Sequence, residues 1–455
     1  MRRLTAAEAE DGARYAAAGL LSAGVVSGQR VTIDLSPIAD PTSCAEQHAN
    51  LIKLVLGMLR TGVVPVLVNP LLSVRERSYV VVNSEPTMVI SNDEQVAALL
   101  EARSTLGTEL SPELIARPMH YTSGTTGTPK GVWTGFLPND QLAAWWADEL
   151  EMWGFDSSDS TLVHGPLAHS GPLRFALLML IAGGSVLLPG GFNPERISRA
   201  LAVEKPTAAF VVPTHLQRLL DLPDLPESPY RRLAHAGSTC PPDLKRRIHA
   251  WAGLDQTWEF YGSSEGQFTS CTGREWEERP GTLGHARAGR DLFIDEGTIW
   301  CETPDYTSFE YWKDPEKTAA AWRSTSDGRA FTVGDLGRLD DDGYLYLDGR
   351  REDLIISGGV NVYPAQVEHI LLEHPLITDA AVFGVEDEQW GQRVCAAIVC
   401  DASSGPLTDS AVEVFVNQLL APFQRPKTYL RLDELPRNVM GKVLRNELRQ
   451  AMSSG

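Results

Sequence analysis

The sequence predicts an α/β protein in two parts. A large N-terminal domain of mixed, doubly wound sheets with helices is followed by a small α+β domain. Three observations carry this. The chain has 455 residues, more than one hydrophobic core organises. From Val31 onward, apolar runs of strand length alternate with segments of helical period, the grammar of a doubly wound sheet. Over roughly the last hundred residues the order becomes helix, strand, strand, helix, which reads as a separate compact unit.

Residues 1 to about 30 read as an alanine-rich helix with a loose apolar face. VTIDL, from Val31, predicts a strand, and His48 to Arg60 a helix. VVPVLVNP, after Gly62, is a short buried strand closed by Pro70. Arg75 to Asn83 has helical period and Met88 to Ser91 is strand-like. A helix from Asp140 to Trp153 leads into the strand TLVHGPL and the apolar helix Leu173 to Ile181. Val203 to Leu220 is a strand running into a helix. LAHAGSTCPP, Leu233 to Pro242, is a strand ending in a Gly/Ser/Thr turn, and open α/β sheets bind ligands beyond the carboxyl ends of their strands. DDDG at 340–343 predicts a hairpin turn. The C-terminal unit contributes a helix Ala365 to His374, strands at AAVFGV and CAAIVC, and a helix Ser410 to Leu420.

With 43% hydrophobic and 22% charged residues the composition is that of an ordinary globular protein. A formal charge of -19 and a pI near 5.0 argue against nucleic acid as a partner, because that needs a basic face. Six cysteines, Cys44, Cys240, Cys271, Cys301, Cys395 and Cys400, include no C-x-x-C pair, so zinc and thioredoxin-type readings lack support. They fit buried thiols in a reducing compartment. The first residues carry acidic side chains where a signal peptide needs an apolar run, and the apolar stretch Phe175 to Leu188 is broken by Gly183, Gly184 and Ser185. The expectation is a cytoplasmic protein with no membrane partner.

The stretch Tyr121 to Gly131, YTSGTTGTPKG, is the most distinctive in the chain. Thr122, Ser123, Thr125, Thr126 and Thr128 place hydroxyls among Gly124, Gly127 and Gly131, and Lys130 adds an ammonium. Glycines let a backbone approach a ligand closely, while hydroxyls, free N–H groups and an ammonium suit phosphate. Two or three of these residues alone would be a polar surface turn. Eleven in succession are not. The stretch is not a Walker P-loop either, since Pro129 and Gly131 flank the lysine where that motif needs Gly and Ser/Thr. It resembles the phosphate-binding signature of the adenylate-forming superfamily of acyl- and aryl-CoA ligases, peptide-synthetase adenylation domains and luciferases.

Three more segments resemble that superfamily, in its order. In WEFYGSSEG, Trp258 to Gly266, the family threonine is Ser264, which keeps the hydroxyl. The resemblance implies that Glu265 holds Mg²⁺, that Tyr261 offers its ring to adenine with Gly262 beside it, and that Glu259 accepts from the adenine amino group. In Phe331 to Leu371 it implies that Asp335 and Arg350 bind the ribose and that Glu352 is the hinge of a mobile C-terminal domain. The family hinge is usually aspartate or lysine. The domains are then 1–350, binding ATP and the acid, and 351–455. In ELPRNVMGKVLRNELRQ, Lys442 stands where the family has its adenylation lysine, with Thr122 and Glu265 its catalytic companions. The resemblance adds Gly237, Ser238 and Thr239 to the nucleotide residues. It assigns PLAHSGP, with His169, to the carboxylate pocket, and Ala236 to Thr239 to the adenine and acyl pocket. Arg174, His215, Trp258 and Gln267 complete a pocket suited to a small aromatic acid with polar groups. LRTGVVPVLVNPLLSVRER resembles a recurrent core segment and is expected to hold the fold without touching the chemistry.

The activity implied is adenylation of a carboxylic acid with ATP and Mg²⁺, then transfer to CoA, whose thiol would meet the loop Ser357 to Gly359 after rotation about Glu352. Loading of a carrier protein and ATP-dependent diazotisation of an aromatic amine with nitrite are alternatives, as is a non-catalytic nucleotide-binding protein. Retention of Lys130, Glu265, Asp335, Arg350 and Lys442 together argues against the last. An α-amino acid is disfavoured because FVVP, Phe210 to Pro213, lacks the aspartate that amino-acid-activating relatives keep. The 120 residues before the phosphate loop are fewer than relatives have, so an open acyl pocket, or one completed in a homodimer, is expected.

Overall fold

An eight-stranded sheet forms the centre, in the order Arg2–Thr5, Ser185–Leu188, Ser160–Leu162, Ala208–Val211, Arg232–His235, Thr257–Glu259, Thr269–Thr272, His285–Ala286. The computed structural model describes all residues except 102–109, 112, 123–128, 327, 351–352, 358–359, 388–389, 401–406, 439–440 and 454–455, and the side chains of Arg350, Asn361 and Ser453. The middle strands of the sheet are parallel and its edges antiparallel. Helices cover both faces. Ala208 and Phe210 enter a core with Trp153, Phe175 and Leu178, whereas Ala209 and Val211 enter another with Ile197, Leu216 and Ile248. Burial on both faces is why these strands are apolar throughout and do not alternate.

Before this sheet lies a parallel three-stranded one, Val64–Leu67, Arg30–Ile33, Met88–Ile90. The first thirty residues differ from the expected single helix. Arg2–Thr5 is a strand, and the helix is Ala6–Ser22. Thr5 accepts from the Glu8 amide and Glu8 from the Thr5 amide, and this reciprocal cap switches strand to helix. The next helix starts at Pro41 where His48 was expected, because Asp40 accepts from the Ser43 amide and proline suits the first helical position.

A six-stranded sheet from Asp291 to Arg350 and a three-stranded one, Glu310–Tyr311, Lys130–Trp133, His120–Thr122, pack beside the main sheet around Phe268, Phe309 and Phe331. Strands Asp335–Leu339 and Leu345–Arg350 form the expected hairpin, its turn held by Asp340 Oδ1 accepting from the amides of Asp342 and Tyr344.

In the C-terminal unit the two expected strands are longer, Ile377–Asp387 and Gly391–Cys400, within a five-stranded sheet flanked by helices Pro364–Leu372, Asp409–Leu419 and Arg445–Ser453. Its buried clusters draw on residues from Ile355 onward, and those of the N-terminal part stop at Leu347. The hinge residue Glu352 lies outside the described residues. All six cysteines are free thiols. Among the described residues, no helix is long and apolar enough to cross a membrane.

Candidate active site

The ends of the phosphate loop are fixed by strand pairing. His120–Thr122 and Lys130–Trp133 run antiparallel with Thr122 opposite Lys130, so the hydroxyl and the ammonium flank the loop's base. The Tyr121 hydroxyl anchors this ladder on Asn83 Oδ1 at 2.6 Å. Ser123, Gly124, Thr125, Thr126 and Gly127 lie outside the described residues.

Glu265 stands in a tight turn. Gly262 bridges to Gln267, and the Ser263 amide donates to the Gly266 carbonyl at 2.8 Å. A Cβ at Gly266 would sit 2.6 Å from the Phe331 ring, so a side chain there would push the turn off its support. The Tyr311 hydroxyl donates to Glu265 Oε1 at 2.9 Å. Tyr261, just ahead of the turn, donates its hydroxyl to Asp335 Oδ2 at 2.5 Å. Asp335 is buried at the start of the hairpin, and Arg350 is its register partner on the opposite strand. The turn of Gly237, Ser238 and Thr239 begins two residues past the end of strand Arg232–His235, with Gly237 in the left-handed region at φ +93°. Ala236 is buried in the first core.

Ser264, Glu265 and Gln267 also line a cavity with Arg174, His120 and Glu149. Helix Asn139–Trp153 supplies Trp145 and Glu149, helix Ser170–Ile181 supplies Arg174, and the segment after His285–Ala286 supplies Arg287 and Arg290 behind. Arg287 donates to Glu149 at 2.7 Å, to Asp148 at 3.1 Å and to Gln267 Oε1, while Arg290 donates to Asp148 at 2.9 Å. Burial would raise the Glu149 carboxyl, but Arg174 and Arg287 outweigh it and hold it below the usual range. Burial, with Arg174 adding to it, pushes His120 down to about 3. None of Arg117, Glu149, Arg287 and Arg290 was expected from sequence.

His169 caps helix Ser170–Ile181 beside the cavity, and burial brings it down to about 4, so it is neutral. Its Nε2 lies 3.3 Å from Asn69 Nδ2. Donation by the amide orients the imidazole, so the core segment containing Asn69 contacts His169, a residue expected in the carboxylate pocket.

Three expected residues are used elsewhere. The Glu259 carboxylate, 6% exposed, accepts from buried Lys245 at 2.7 Å, and Lys245 also donates to His235 Nε2 at 2.7 Å. It is therefore engaged inside the protein and not offered to adenine. His215 stacks on Phe192, with ring centroids 3.8 Å apart and planes 5° apart, on the second core's side. Trp258 packs on Trp153 at 6.4 Å, with the Arg232 guanidinium 5.3 Å from its ring, in the first core.

Lys442 follows Gly441 in a turn closed by the Asn438 amide on the Lys442 carbonyl at 2.9 Å and the Lys442 amide on Asn438 Oδ1 at 3.0 Å. Arg437 braces it, donating to the Gly441 carbonyl at 2.6 Å and to Asp379. Gly441 has φ +76°, and a Cβ there would lie 2.7 Å from Thr214 Oγ1. Thr214 follows strand Ala208–Val211, so the lysine turn docks at the carboxyl end of the parallel strands.

Known proteins share this fold. Residues 1–298 match the AMP-binding enzyme family and residues 366–442 the AMP-binding enzyme C-terminal domain. A 2-succinylbenzoate–CoA ligase from Bacillus licheniformis is 31% identical over 85% of this chain and 84% of its own. Another, from Bacillus cereus, is 30% identical over 95% of this chain and 90% of its own. The o-succinylbenzoate CoA synthetase of Bacillus subtilis, solved with its acyl-adenylate intermediate, superposes with a TM-score of 0.81 at 27% identity, covering 97% of this chain and 92% of its own. ATP-bound MatB from Rhodopseudomonas palustris does so at 0.82, with 27% identity and 98% and 93% coverage. With the two modules matched in order along the chain, the chain belongs to the AMP-binding enzyme family.

Proposed function

We propose that the chain couples a carboxylic acid to CoA through an acyl-adenylate, consuming ATP and releasing pyrophosphate and AMP. The observation that carries this is the cavity in which Ser264 and Glu265 share a wall with His120 and Arg174, joining a nucleotide signature to an acid pocket. The names of the relatives, CoA ligases of 2-succinylbenzoate, support the same reading.

An acid's carboxylate is already ionised at neutral pH, so no general base is required. Its oxygen attacks the α-phosphorus, and the bond to the bridging oxygen of pyrophosphate breaks. Such transfers depend on positioning and on stabilising charge. Thr122 and Lys130, at the base of the loop, orient the phosphates. Asp335 and Arg350 hold the ribose, with Tyr261 fixing Asp335. The Lys442 ammonium bridges carboxylate and phosphate oxygens. Neutral His169, oriented by Asn69, lies beside the acid's carboxylate.

Among the described residues no group of three His, Cys, Asp or Glu could hold a metal by itself. A lone carboxylate fits Mg²⁺, which reaches proteins through one or two carboxylates and nucleotide phosphates. Glu265 would hold it, and bound Mg²⁺ neutralises phosphate oxygens. In the second step the CoA thiolate attacks the acyl carbonyl and AMP leaves, after the C-terminal unit turns about Glu352.

The test is pyrophosphate release over a panel of acids with CoA, holo-carrier protein, or nitrite plus an arylamine. Acyl-CoA formation is the expected outcome. Rapid AMP formation with nitrite and an arylamine, with CoA ignored for every acid, overturns the reading.

A further inference from the structure

We propose that the Gln267 carboxamide donates to the reacting carboxyl group of the acid in both half-reactions, and that Arg287 is the positioning residue that turns it to do so. This rests on the ligase reading above and deepens it.

A guanidinium has N–H donors and no acceptor, so a carboxamide beside it must offer its oxygen. Arg287, buried behind the cavity, donates to Gln267 Oε1. Its own plane is set by Glu149 Oε1 at 2.7 Å and Asp148 Oδ2 at 3.1 Å. Gln267, 6% exposed, lines the cavity, and among the described residues its Nε2 has no hydrogen-bond partner. With the oxygen turned back to Arg287, the amide nitrogen is left for the cavity. The Gln267 backbone is fixed as well, since Gly262 bridges to it and the Phe268 amide donates to the Tyr261 carbonyl at 2.9 Å. Gln267 follows Glu265 by two residues and shares the cavity wall with it, so the donor lies where the acid meets the nucleotide signature. A charged donor on an amide oxygen polarises the amide and strengthens its N–H groups. Part of the Arg287 charge thereby reaches the acid.

The two half-reactions use such a donor differently. In the first, one carboxylate oxygen attacks the α-phosphorus and pyrophosphate leaves, while the other oxygen becomes the acyl carbonyl and loses charge. A donor on that oxygen helps binding more than reaction. In the second, the CoA thiolate adds to the carbonyl carbon, the C=O electron pair moves onto the oxygen, and its return expels AMP. The oxygen gains charge in that transition state, where a positioned donor lowers the barrier.

The experiment compares the intact protein with Gln267→Met, Gln267→Glu, Arg287→Met and Arg287→Lys. The acids are benzoate, phenylacetate and 2-succinylbenzoate, the first two having no acceptor outside the reacting carboxyl. Gln267→Met should raise KM for the acid about tenfold in pyrophosphate release, with KM for ATP unmoved. It should slow thioester formation from the matching supplied acyl-adenylate and CoA by about 100-fold. Gln267→Glu turns an acceptor toward the cavity and should lose more in both half-reactions. Its melting temperature should hold or rise, because it sets a carboxylate against Arg287 in a cluster where guanidinium groups outnumber carboxylates. A merely structural residue does not move stability and activity in opposite directions. Arg287→Met should show the same split and Arg287→Lys, which keeps a donor for Oε1, should restore part of it. Arg287→Met also strands Glu149 and Asp148, so if it fails to fold, Gln267→Glu decides. A loss confined to 2-succinylbenzoate would put the amide on a distal substituent. Equal losses in both half-reactions and in KM for ATP, with a lowered melting temperature, would make the pair structural. Either result overturns the proposal, as does an unimpaired Gln267→Glu. No pyrophosphate release from the intact protein with any of the acids sinks the ligase reading, and this proposal with it.

Discussion

The Tyr261 hydroxyl donates to Asp335 Oδ2 at 2.5 Å, tying the segment that carries Glu265 to the hairpin that leads toward the C-terminal unit. Asp335 is only 4% exposed, so this hydrogen bond both satisfies a buried carboxylate and aims it. Tyr261→Phe should raise KM for ATP roughly tenfold and cost about 1.5–3 kcal/mol of stability, the usual range for a lost bond to a charged acceptor. An ATP titration and a urea unfolding curve on the same variant check both halves. An unchanged KM would detach Asp335 from the nucleotide.

The ion pair between Lys245 and Glu259 is internal, Lys245 being 1% exposed. Removing one partner strands the other. Lys245→Met should therefore cost about 3–5 kcal/mol, and adding Glu259→Gln should recover much of it. Denaturant midpoints for the two single variants and the double give the coupling directly. If Glu259→Gln instead raised KM for ATP with no stability change, the adenine role first expected for it would return.

Glu265 is positioned by a donor, the Tyr311 hydroxyl at 2.9 Å, which would remain for an amide oxygen. Glu265→Gln thus keeps the shape while removing the charge. The Mg²⁺ concentration for half-maximal pyrophosphate release should rise about tenfold. Superimposable magnesium titrations would take Glu265 out of the metal site.

Much of this was legible in the sequence because the chemistry sits in short contiguous segments. The parallel strands, the Asp340–Gly343 turn and the Gly441–Lys442 turn each follow from local residues. The cavity does not. Arg117, Glu149, Arg287 and Arg290 meet only when helix Asn139–Trp153 packs against the segment after His285–Ala286, a contact no local pattern encodes. The misreading of Trp258 was avoidable. Trp258 and Phe260 share a strand parity and both face Trp153, which marks that side as core and turns Glu259 to the other. Asn69 gave no signal, since only the tertiary fold brings it to His169.

Acid should weaken the fold through its buried histidines. Burial holds His120 and His164 at about 3, and His169 and His215 at about 4. Below about 6.5 the unfolded chain takes up protons at these positions and the folded chain does not. Stability is therefore complete above about pH 6.5 and falls as pH drops from there toward 4, by about 1.4 kcal/mol per histidine per pH unit. His215→Phe, which keeps a ring against Phe192, should shallow the slope of the urea midpoint between about pH 6 and 5. An identical slope would mean that His215 is protonated in the folded protein.

The lysine turn gives the sharpest test of the two-step reaction. Gly441 is left-handed at φ +76° and rests on Thr214, so a methyl group there is strained by its backbone and by a contact of 2.7 Å. Gly441→Ala should lift the turn from the carboxyl end of strand Ala208–Val211 without touching the Lys442 charge. Pyrophosphate release should fall by about 10- to 100-fold, since small misplacements of a catalytic group are that costly. Lys442→Ala should lose more, because the charge itself goes. Supplied with a synthetic acyl-adenylate and CoA, both variants should form thioester at close to the intact rate, because that step does not need the ammonium at the α-phosphate. Single-turnover measurements of the two half-reactions separate these outcomes, and equal losses in both would make the turn a structural brace with no special part in adenylation.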